Sequence, residues 1–118
     1  MTYTFKMHTT NPQFQDVQDV NPQEVLENAH QLTLIDVRET SEYNAELGHI
    51  AGTRLVVLSS LPTQINSIPQ DKTVVFVCRS GGRSAQATHF AKANGFRHVY
   101  NMRGGMLLWN QLLLPIEK

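Results

Sequence analysis

The stretch VVFVCRSGGRS, residues 74–84, joins an apolar run to a small loop that carries two arginines and two glycines. Its first part is rich in β-branched residues without clean alternation, which predicts a strand covered on both faces. Cys78 ends this run and is the only cysteine of the chain. The following SAQATHFAKANG, residues 84–95, predicts a helix with Ser84 near its start and Gly95 at its end.

Strand and helix signals alternate on both sides of this unit. LTLIDV (residues 32–37) and HVYNM (98–102) predict further strands, and GGMLLWNQLLL (104–114) predicts a last helix. NPQEVLENAH predicts a helix with Asn21 as N-cap, Pro22 at the first helical position and Glu24 in the capping-box position. The predicted fold is α/β, with a mostly parallel sheet between helices. Ligands of such sheets bind beyond the carboxyl ends of strands, where Cys78 lies.

Length and charge limit the possible functions. A chain of 118 residues fits one domain, predicted over residues 14–118, after a flexible N-terminal arm over residues 1–13 that shows little periodicity. Ten basic residues balance ten acidic ones, so no net field attracts nucleic acid or an anionic membrane. Neither partner is expected, and any affinity for anions must be local.

Cysteine and histidine usage gives no sign of a metal or cofactor. A single cysteine cannot form an internal disulfide, and the five histidines lack the spacing of a metal motif. No apolar run approaches the ~20 residues that span a membrane. The polar N-terminus has no apolar segment typical of a secretory signal. We therefore expect a cytoplasmic protein in which the thiol stays reduced.

The loop after Cys78 must turn the chain sharply from a strand into a helix. Gly81 and Gly82 suit this turn, since glycine reaches conformations that other residues resist. Such a turn points N–H groups inward, and the helix adds free N–H groups and the positive end of its dipole. Arg79 and Arg83 add two permanent positive charges. These surroundings stabilise a thiolate, which favours a nucleophilic Cys78 over a small buried apolar residue.

Two reactions could use this anion-binding loop. A phosphatase would attack phosphorus with the thiolate and hold three phosphoryl oxygens, which requires a wide loop. A sulfurtransferase would attack a sulfane sulfur and hold a persulfide, whose terminal sulfur is one small anion. The number of residues in the loop therefore distinguishes the two reactions.

Four segments together resemble the rhodanese family of sulfurtransferases. CRSGGRS (residues 78–84) resembles its active-site loop, and IDVRE (35–39), EYNAELGHIAGT (42–53) and YNMRGGMLLW (100–109) resemble three further signatures in the same order. The resemblance extends over about residues 14–115. It implies a five-stranded parallel sheet flanked by helices on both faces, with the catalytic Cys78 at the end of the central strand.

Loop length favours sulfur over phosphorus. Related cysteine-dependent phosphatases and arsenate reductases carry Cys-x5-Arg, whereas the interval from Cys78 to Arg83 is Cys-x4-Arg. The loop is one residue short for a phosphoryl group. Hydrolysis of an aryl phosphate that disappears in Cys78→Ser would nevertheless revive the phosphatase or arsenate reductase alternative.

Separate roles are predicted for the other residues of the loop and for two residues near it. The predicted active-site loop consists of Arg79, Ser80, Gly81, Gly82, Arg83 and Ser84, and residues 80–84 are expected to contribute mainly backbone N–H groups. Arg79 either attracts an anionic donor or is a solvated surface residue. Arg83 is expected to tie the loop to a carboxylate rather than to touch substrate. Asp36 and Arg38 follow from the resemblance as supporting residues near the pocket, with Asp36 as an anchor rather than an acid or base.

The resulting hypothesis is a thiosulfate sulfurtransferase. Cys78 would take a sulfane sulfur from thiosulfate or a similar small anion and pass it, as a persulfide, to a thiol or cyanide. The alternative is a persulfide carrier or regulatory module that delivers sulfur to a partner protein. A stable persulfide with negligible turnover would favour that alternative.

Overall fold

Strand β5 (Thr73–Val77) lies inside a six-stranded sheet and leads directly to Cys78. The computed structural model describes residues 2–118. The other strands are β1 (His8–Thr10), β2 (Gln18–Val20), β3 (Leu32–Asp36), β4 (Arg54–Leu55) and β6 (Val99–Met102). Their spatial order is β1-β2-β6-β5-β3-β4. All neighbouring strands along the series β2-β6-β5-β3-β4 pair in parallel. Strand β5 is therefore the central strand of five parallel strands.

Helices cover both faces of the sheet. They are α1 (Pro22–Glu27), α2 (Thr40–Tyr43), α3 (Leu61–Gln64), α4 (Gly82–Ala93) and α5 (Gly105–Gln111), with 3₁₀ turns at Ala29–Gln31, Leu58–Ser60 and Ile65–Ser67. Successive β5 side chains point to opposite faces, as in any strand. Val74, Phe76 and Cys78 therefore pack in a core with α3 and α4 residues. Val75 and Val77 pack in a second core with α1 and α5 residues. The α/β prediction with two covered faces is confirmed.

The sheet differs from the prediction at one edge. A sixth strand, β1, pairs antiparallel with β2 through His8 opposite Val20 and Thr10 opposite Gln18. Strand β2 is therefore an inner strand of the sheet, between β1 and β6. The residues of β1 are all exposed, so no pattern of buried side chains indicated a strand there.

The N-terminal segment packs against the domain, in contrast to the flexible arm predicted over residues 1–13. Phe5 is buried between Tyr3 and Tyr100, with ring centroids about 5 Å apart. Glu24, predicted to close a capping box on α1, instead accepts hydrogen bonds from the Tyr3 hydroxyl and the Lys6 N–H. Apart from the contact of Tyr3 with Phe5, these contacts link residues 18 or more positions apart, which local periodicity does not reveal. Met1 lies outside the described residues.

No helix among residues 2–118 combines the length and the hydropathy that a membrane crossing requires.

Candidate active site

Cys78 directly follows the buried strand β5 and is 1% exposed. Its Sγ atom lies 3.1 Å from the N–H nitrogen of Gly81 and 3.2 Å from the hydroxyl oxygen of Ser84. Two polar groups of the predicted loop therefore face the sulfur from the side of α4. The rigid central strand fixes the position of this sulfur relative to the helix.

Helix α4 begins at Gly82, earlier than the start predicted near Ser84. Gly81 is its N-cap, with φ 107°, a left-handed conformation that a residue with a Cβ resists. This early start puts Ser84 in the first turn of the helix, where its side chain is fully buried. Ser84 was predicted to contribute mainly its backbone N–H. Its hydroxyl group is what contacts the sulfur.

An ion pair closes the loop at its far end. Both terminal nitrogens of Arg83 donate to the Glu42 carboxylate, at 2.7 and 2.9 Å. Glu42 belongs to α2, so this pair ties the start of α4 to the segment after β3. The hydrogen bond from Arg83 lowers the pKa of Glu42 to about 2, and the same contact raises the pKa of Arg83. The guanidinium of Arg83 is thus directed to a carboxylate.

A second, fully buried ion pair lies at the carboxyl end of β3. The guanidinium of Arg38 donates to both Asp36 carboxylate oxygens, and its Nη2 also donates to the Gly48 carbonyl oxygen at 2.7 Å. Asp36 lies beside Val77 in the parallel ladder, one residue before Cys78. The pair thus fixes the chain on one side of the loop, and both residues are at most 1% exposed.

Helix α5 supports the loop from below, a contact that our sequence reasoning missed. The N–H of Met106 donates to the Cys78 carbonyl at 2.8 Å, and that of Leu107 donates to the Arg79 carbonyl at 2.9 Å. Gly105 allows this approach, because a Cβ there would lie 2.5 Å from the backbone of Cys78 and Arg79. The Gly104-Gly105 pair was the available signal.

Arg79, Ser80 and Gly82 are the exposed residues of the loop. Arg79 lines a small cavity of about 50 Å³ together with Arg38 and Glu42. Within residues 2–118, no ion pair is found for the Arg79 side chain. A cation at this position remains accessible to an anion arriving from solvent.

Two other cavities lie outside the loop interior. One of about 230 Å³ lies between the loop and the β2 side of the sheet, lined in part by Asp19, Gly81 and Asn101. A larger one of about 700 Å³ lies beside α1, lined in part by Glu24 and Glu27, and contains no residue of the predicted loop. The candidate site is therefore the short loop and not the larger cavity beside α1.

The arrangement can hold a small anion on sulfur. The Gly81 N–H and the start of α4 offer hydrogen-bond donors to Cys78, and the Ser84 hydroxyl lies beside the sulfur. A persulfide or thiolate gains from such preorganised donors. Residues 2–118 contain no group of three histidine, cysteine, aspartate or glutamate side chains placed to hold a metal ion.

Comparisons with known proteins agree with this geometry. Residues 21–112 match the family model described as a rhodanese-like domain. The chain is 31% identical over 99 residues to the thiosulfate sulfurtransferase GlpE of Pseudomonas paraeruginosa, with 84% of this chain and 86% of that protein covered. In a solved structure, the human single-domain sulfurtransferase TSTD1 superimposes with a TM-score of 0.69 at 27% identity, with 79% and 95% of the two chains covered.

Two Bacillus subtilis relatives are matched over part of their length. The uncharacterized protein YqhL is 42% identical over 76 residues, which cover 64% of this chain and 59% of YqhL. The putative sulfur carrier protein YrkF is 35% identical over 78 residues, which cover 66% of this chain and 41% of YrkF. The chain therefore spans about half the length of these two relatives.

Proposed function

The chain belongs to the rhodanese-like domain family, and we propose on that basis that it transfers sulfane sulfur from thiosulfate, or a similar small anion, through a persulfide on Cys78. The acceptor is a thiol in the cell and cyanide in an assay. The observation that carries this proposal is the position of the Cys78 sulfur, enclosed by the Gly81 N–H and the Ser84 hydroxyl in a loop of Cys-x4-Arg length.

The first half-reaction forms the persulfide. The Cys78 thiolate attacks the outer sulfur of thiosulfate, a new S–S bond forms, and the original S–S bond breaks. The electron pair of the broken bond leaves on sulfite, so thiolate plus thiosulfate gives persulfide plus sulfite with three negative charges on each side. No proton is consumed, which fits a site whose aspartate, Asp36, is fully engaged by Arg38.

The second half-reaction regenerates the Cys78 thiolate. A nucleophilic acceptor attacks the outer sulfur of the persulfide, and the Cys78 thiolate leaves with the electron pair of the S–S bond. With cyanide the product is thiocyanate, and the charge balances at two negative charges on each side. The loop donors stabilise the anionic sulfur between the two steps.

The two arginines of the loop have different tasks in this scheme. Arg83 is held by Glu42 in a two-bonded ion pair, which supports a role in fixing the loop. Arg79 is exposed and has no such pair in the described part of the chain, which supports a role in attracting the donor anion. The steering by one exposed charge should weaken as salt rises.

Steady-state turnover with thiosulfate and cyanide tests the proposal. We expect thiocyanate release by the parent chain and none by Cys78→Ser, in which the attacking sulfur is replaced. Arg79→Gln should raise KM for thiosulfate with little change in kcat, because it removes attraction and leaves the thiolate. Hydrolysis of an aryl phosphate by the parent chain, lost in Cys78→Ser, would contradict the assignment to sulfur.

A carrier function is the second candidate, supported by the likeness to YrkF. In that case Cys78 holds the persulfide until a specific protein removes it. The two functions differ in one measured quantity, the rate at which a preformed persulfide is discharged by free cyanide or a small thiol. Rapid discharge favours the enzyme, and a long-lived persulfide favours the carrier.

A further inference from the structure

A buried chain of polar side chains leads from Cys78 to a carboxylate on β2. The Ser84 hydroxyl lies 3.2 Å from the Cys78 sulfur and 2.5 Å from the side-chain oxygen of Asn101 on β6. The Asn101 amide nitrogen donates to Asp19 at 2.9 Å. Ser84, Asn101 and Asp19 are 0%, 1% and 7% exposed. We call these three residues the Ser84–Asp19 relay.

The hydrogen positions in the relay follow from its partners. The amide nitrogen of Asn101 faces two acceptors, Asp19 and the carbonyl oxygen of Gly81, so the amide oxygen must face Ser84. That oxygen can only accept, so the single hydroxyl proton of Ser84 is on the Asn101 side. The Ser84 oxygen is then free to accept from the Cys78 thiol. The chain of donors runs in one direction, from sulfur to carboxylate.

Asp19 is the carboxylate at which the relay ends. No basic side chain in the described part of the chain forms an ion pair with Asp19. Its carboxylate accepts hydrogen bonds from the side-chain amides of Asn101 and of Asn11, whose nitrogen lies 3.0 Å from one carboxylate oxygen. Hydrogen bonds to a buried charge polarise the donor, which makes the Asn101 oxygen a stronger acceptor for Ser84.

We propose that Asp19 and Asn101 are positioning residues that hold the Ser84 hydroxyl proton away from Cys78 and so oppose formation of the free thiolate. When the thiol ionises, its proton goes to water and the sulfur no longer donates to Ser84. The Ser84 proton can serve the thiolate only by leaving Asn101. In the persulfide the inner sulfur carries no charge, so the Ser84–Asn101 bond can stay.

The inference rests on the proposed function and adds its regulation. A relay that disfavours the thiolate but tolerates the persulfide makes the thiolate a poorer leaving group in the second half-reaction. It also lowers the reactivity of the resting sulfur toward stray oxidants and alkylating agents, which react with the thiolate. Asp19 and Asn101 thus set how long sulfur stays on Cys78.

Several other charged side chains lie near the sulfur, and substitution of Asp19 or Asn101 does not remove them. Arg83 on α4 interacts electrostatically with Cys78, and Arg79 follows it in the chain. The pair of Asp36 and Arg38 lies at the end of β3, and Arg103 follows β6. Helix α5 contributes no ionisable side chain.

The test measures the rate of Cys78 alkylation by iodoacetamide against pH in the full chain. We expect the midpoint pH of this curve to fall by about 0.5 to 1 unit in Asp19→Asn. It should also fall in Asn101→Ala, which keeps the Asp19 charge but frees the Ser84 proton. Asp16→Asn, which removes an exposed carboxylate from the segment before β2, should leave the midpoint unchanged.

A double-mutant cycle with Ser84→Ala separates the relay from a simple field effect. If the relay acts through Ser84, Asp19→Asn shifts the midpoint much less in the Ser84→Ala background. An equal shift with and without Ser84, or no shift in Asn101→Ala, overturns the proposal. If Asp19→Asn does not fold, the midpoint shift of Asn101→Ala tests the same proposal.

Persulfide formation, followed by intact mass after thiosulfate, distinguishes this proposal from the proposed function. If the midpoints shift as expected but no persulfide forms, the proposed function fails while the relay stands. If the persulfide forms but the midpoints do not shift, the relay alone fails.

Discussion

At the scale of single residues, the Cys78 sulfur meets two groups that come from one turn of α4. The left-handed Gly81 directs a backbone N–H at the sulfur, and the helix then brings the Ser84 hydroxyl to it. Behind Ser84, Asn101 and Asp19 continue the hydrogen-bonded chain. The hydrogen-bonded surroundings of one thiol therefore come from side chains of three separate elements.

The pair of Arg83 and Glu42 predicts an acid limit to stability. Because the pKa of Glu42 falls from an ordinary 4.5 to about 2 in the folded protein, the pair stabilises fully above about pH 4.5. This contribution is lost as the pH falls from about 4.5 to about 2. Both side chains are partly exposed, which limits the contribution to about 1 kcal/mol.

Unfolding by urea at several pH values measures this effect. Glu42→Gln should be less stable than the parent chain at neutral pH, and the difference should shrink on acidification through the stated range. Glu46→Gln, which removes an acid without an ion pair in the described chain, is the matched control and should show no such convergence. A Glu42→Gln deficit that is constant from pH 7 to pH 2 would contradict the assigned role.

At the scale of residues, the sequence predicted the loop after Cys78 but not the Ser84–Asp19 relay. Cys78, with the glycines and arginines after it, forms a contiguous pattern whose chemistry is readable without coordinates. Asp19 and Asn101 are 82 positions apart and meet only because β2 pairs with β6. An aspartate before a helix and an asparagine within a short strand carry no local sign of a shared site.

At the scale of elements, the loop that follows Cys78 lies between the starts of α4 and α5. The start of α4 supplies groups that face the sulfur, and the start of α5 donates N–H groups to the carbonyls of Cys78 and Arg79. The carbonyls of the loop are thereby directed away from the sulfur. The loop interior can then present mainly donors to an anion.

Gly105→Ala tests this support. The added Cβ would lie 2.5 Å from the loop backbone at a residue with φ 57°, so both a clash and backbone strain are expected. We predict a loss of about 3 kcal/mol in the free energy of unfolding and at least a ~10-fold slower persulfide formation with thiosulfate.

Gly52→Ala is the matched control for the cost of backbone strain at a positive φ. Gly52 has φ 84° but no atom within 4 Å of an added Cβ, so it reports strain alone. Its predicted cost is about 1 kcal/mol, with persulfide formation unchanged. Equal costs at Gly105 and Gly52 would show that the close approach of α5 to the loop is not needed.

At the scale of the whole molecule, the parallel set of five strands brings Cys78 to the middle of the carboxyl edge. That architecture was predictable, because alternating strand and helix signals and four signatures in order all agree. The N-terminal packing was not, because Phe5 packs against Tyr100, which is distant in sequence, and Glu24 accepts hydrogen bonds from Tyr3 and Lys6.

Phe5→Ala tests whether the N-terminal segment belongs to the folded unit. Phe5 is 2% exposed, so removing its ring should lower the free energy of unfolding by about 3 kcal/mol. Met7→Ala is the control, since Met7 is 64% exposed and should cost less than about 0.5 kcal/mol. If both variants unfold at the same urea concentration as the parent chain, the segment is not part of the core.

The central claim, that Cys78 carries sulfur, is tested most directly by intact mass after incubation with thiosulfate. We predict that the parent chain gains the mass of one sulfur, that a reducing thiol removes it, and that Cys78→Ser gains none. No adduct on the parent chain with thiosulfate or any other sulfane donor, or the same adduct on Cys78→Ser, would contradict the account.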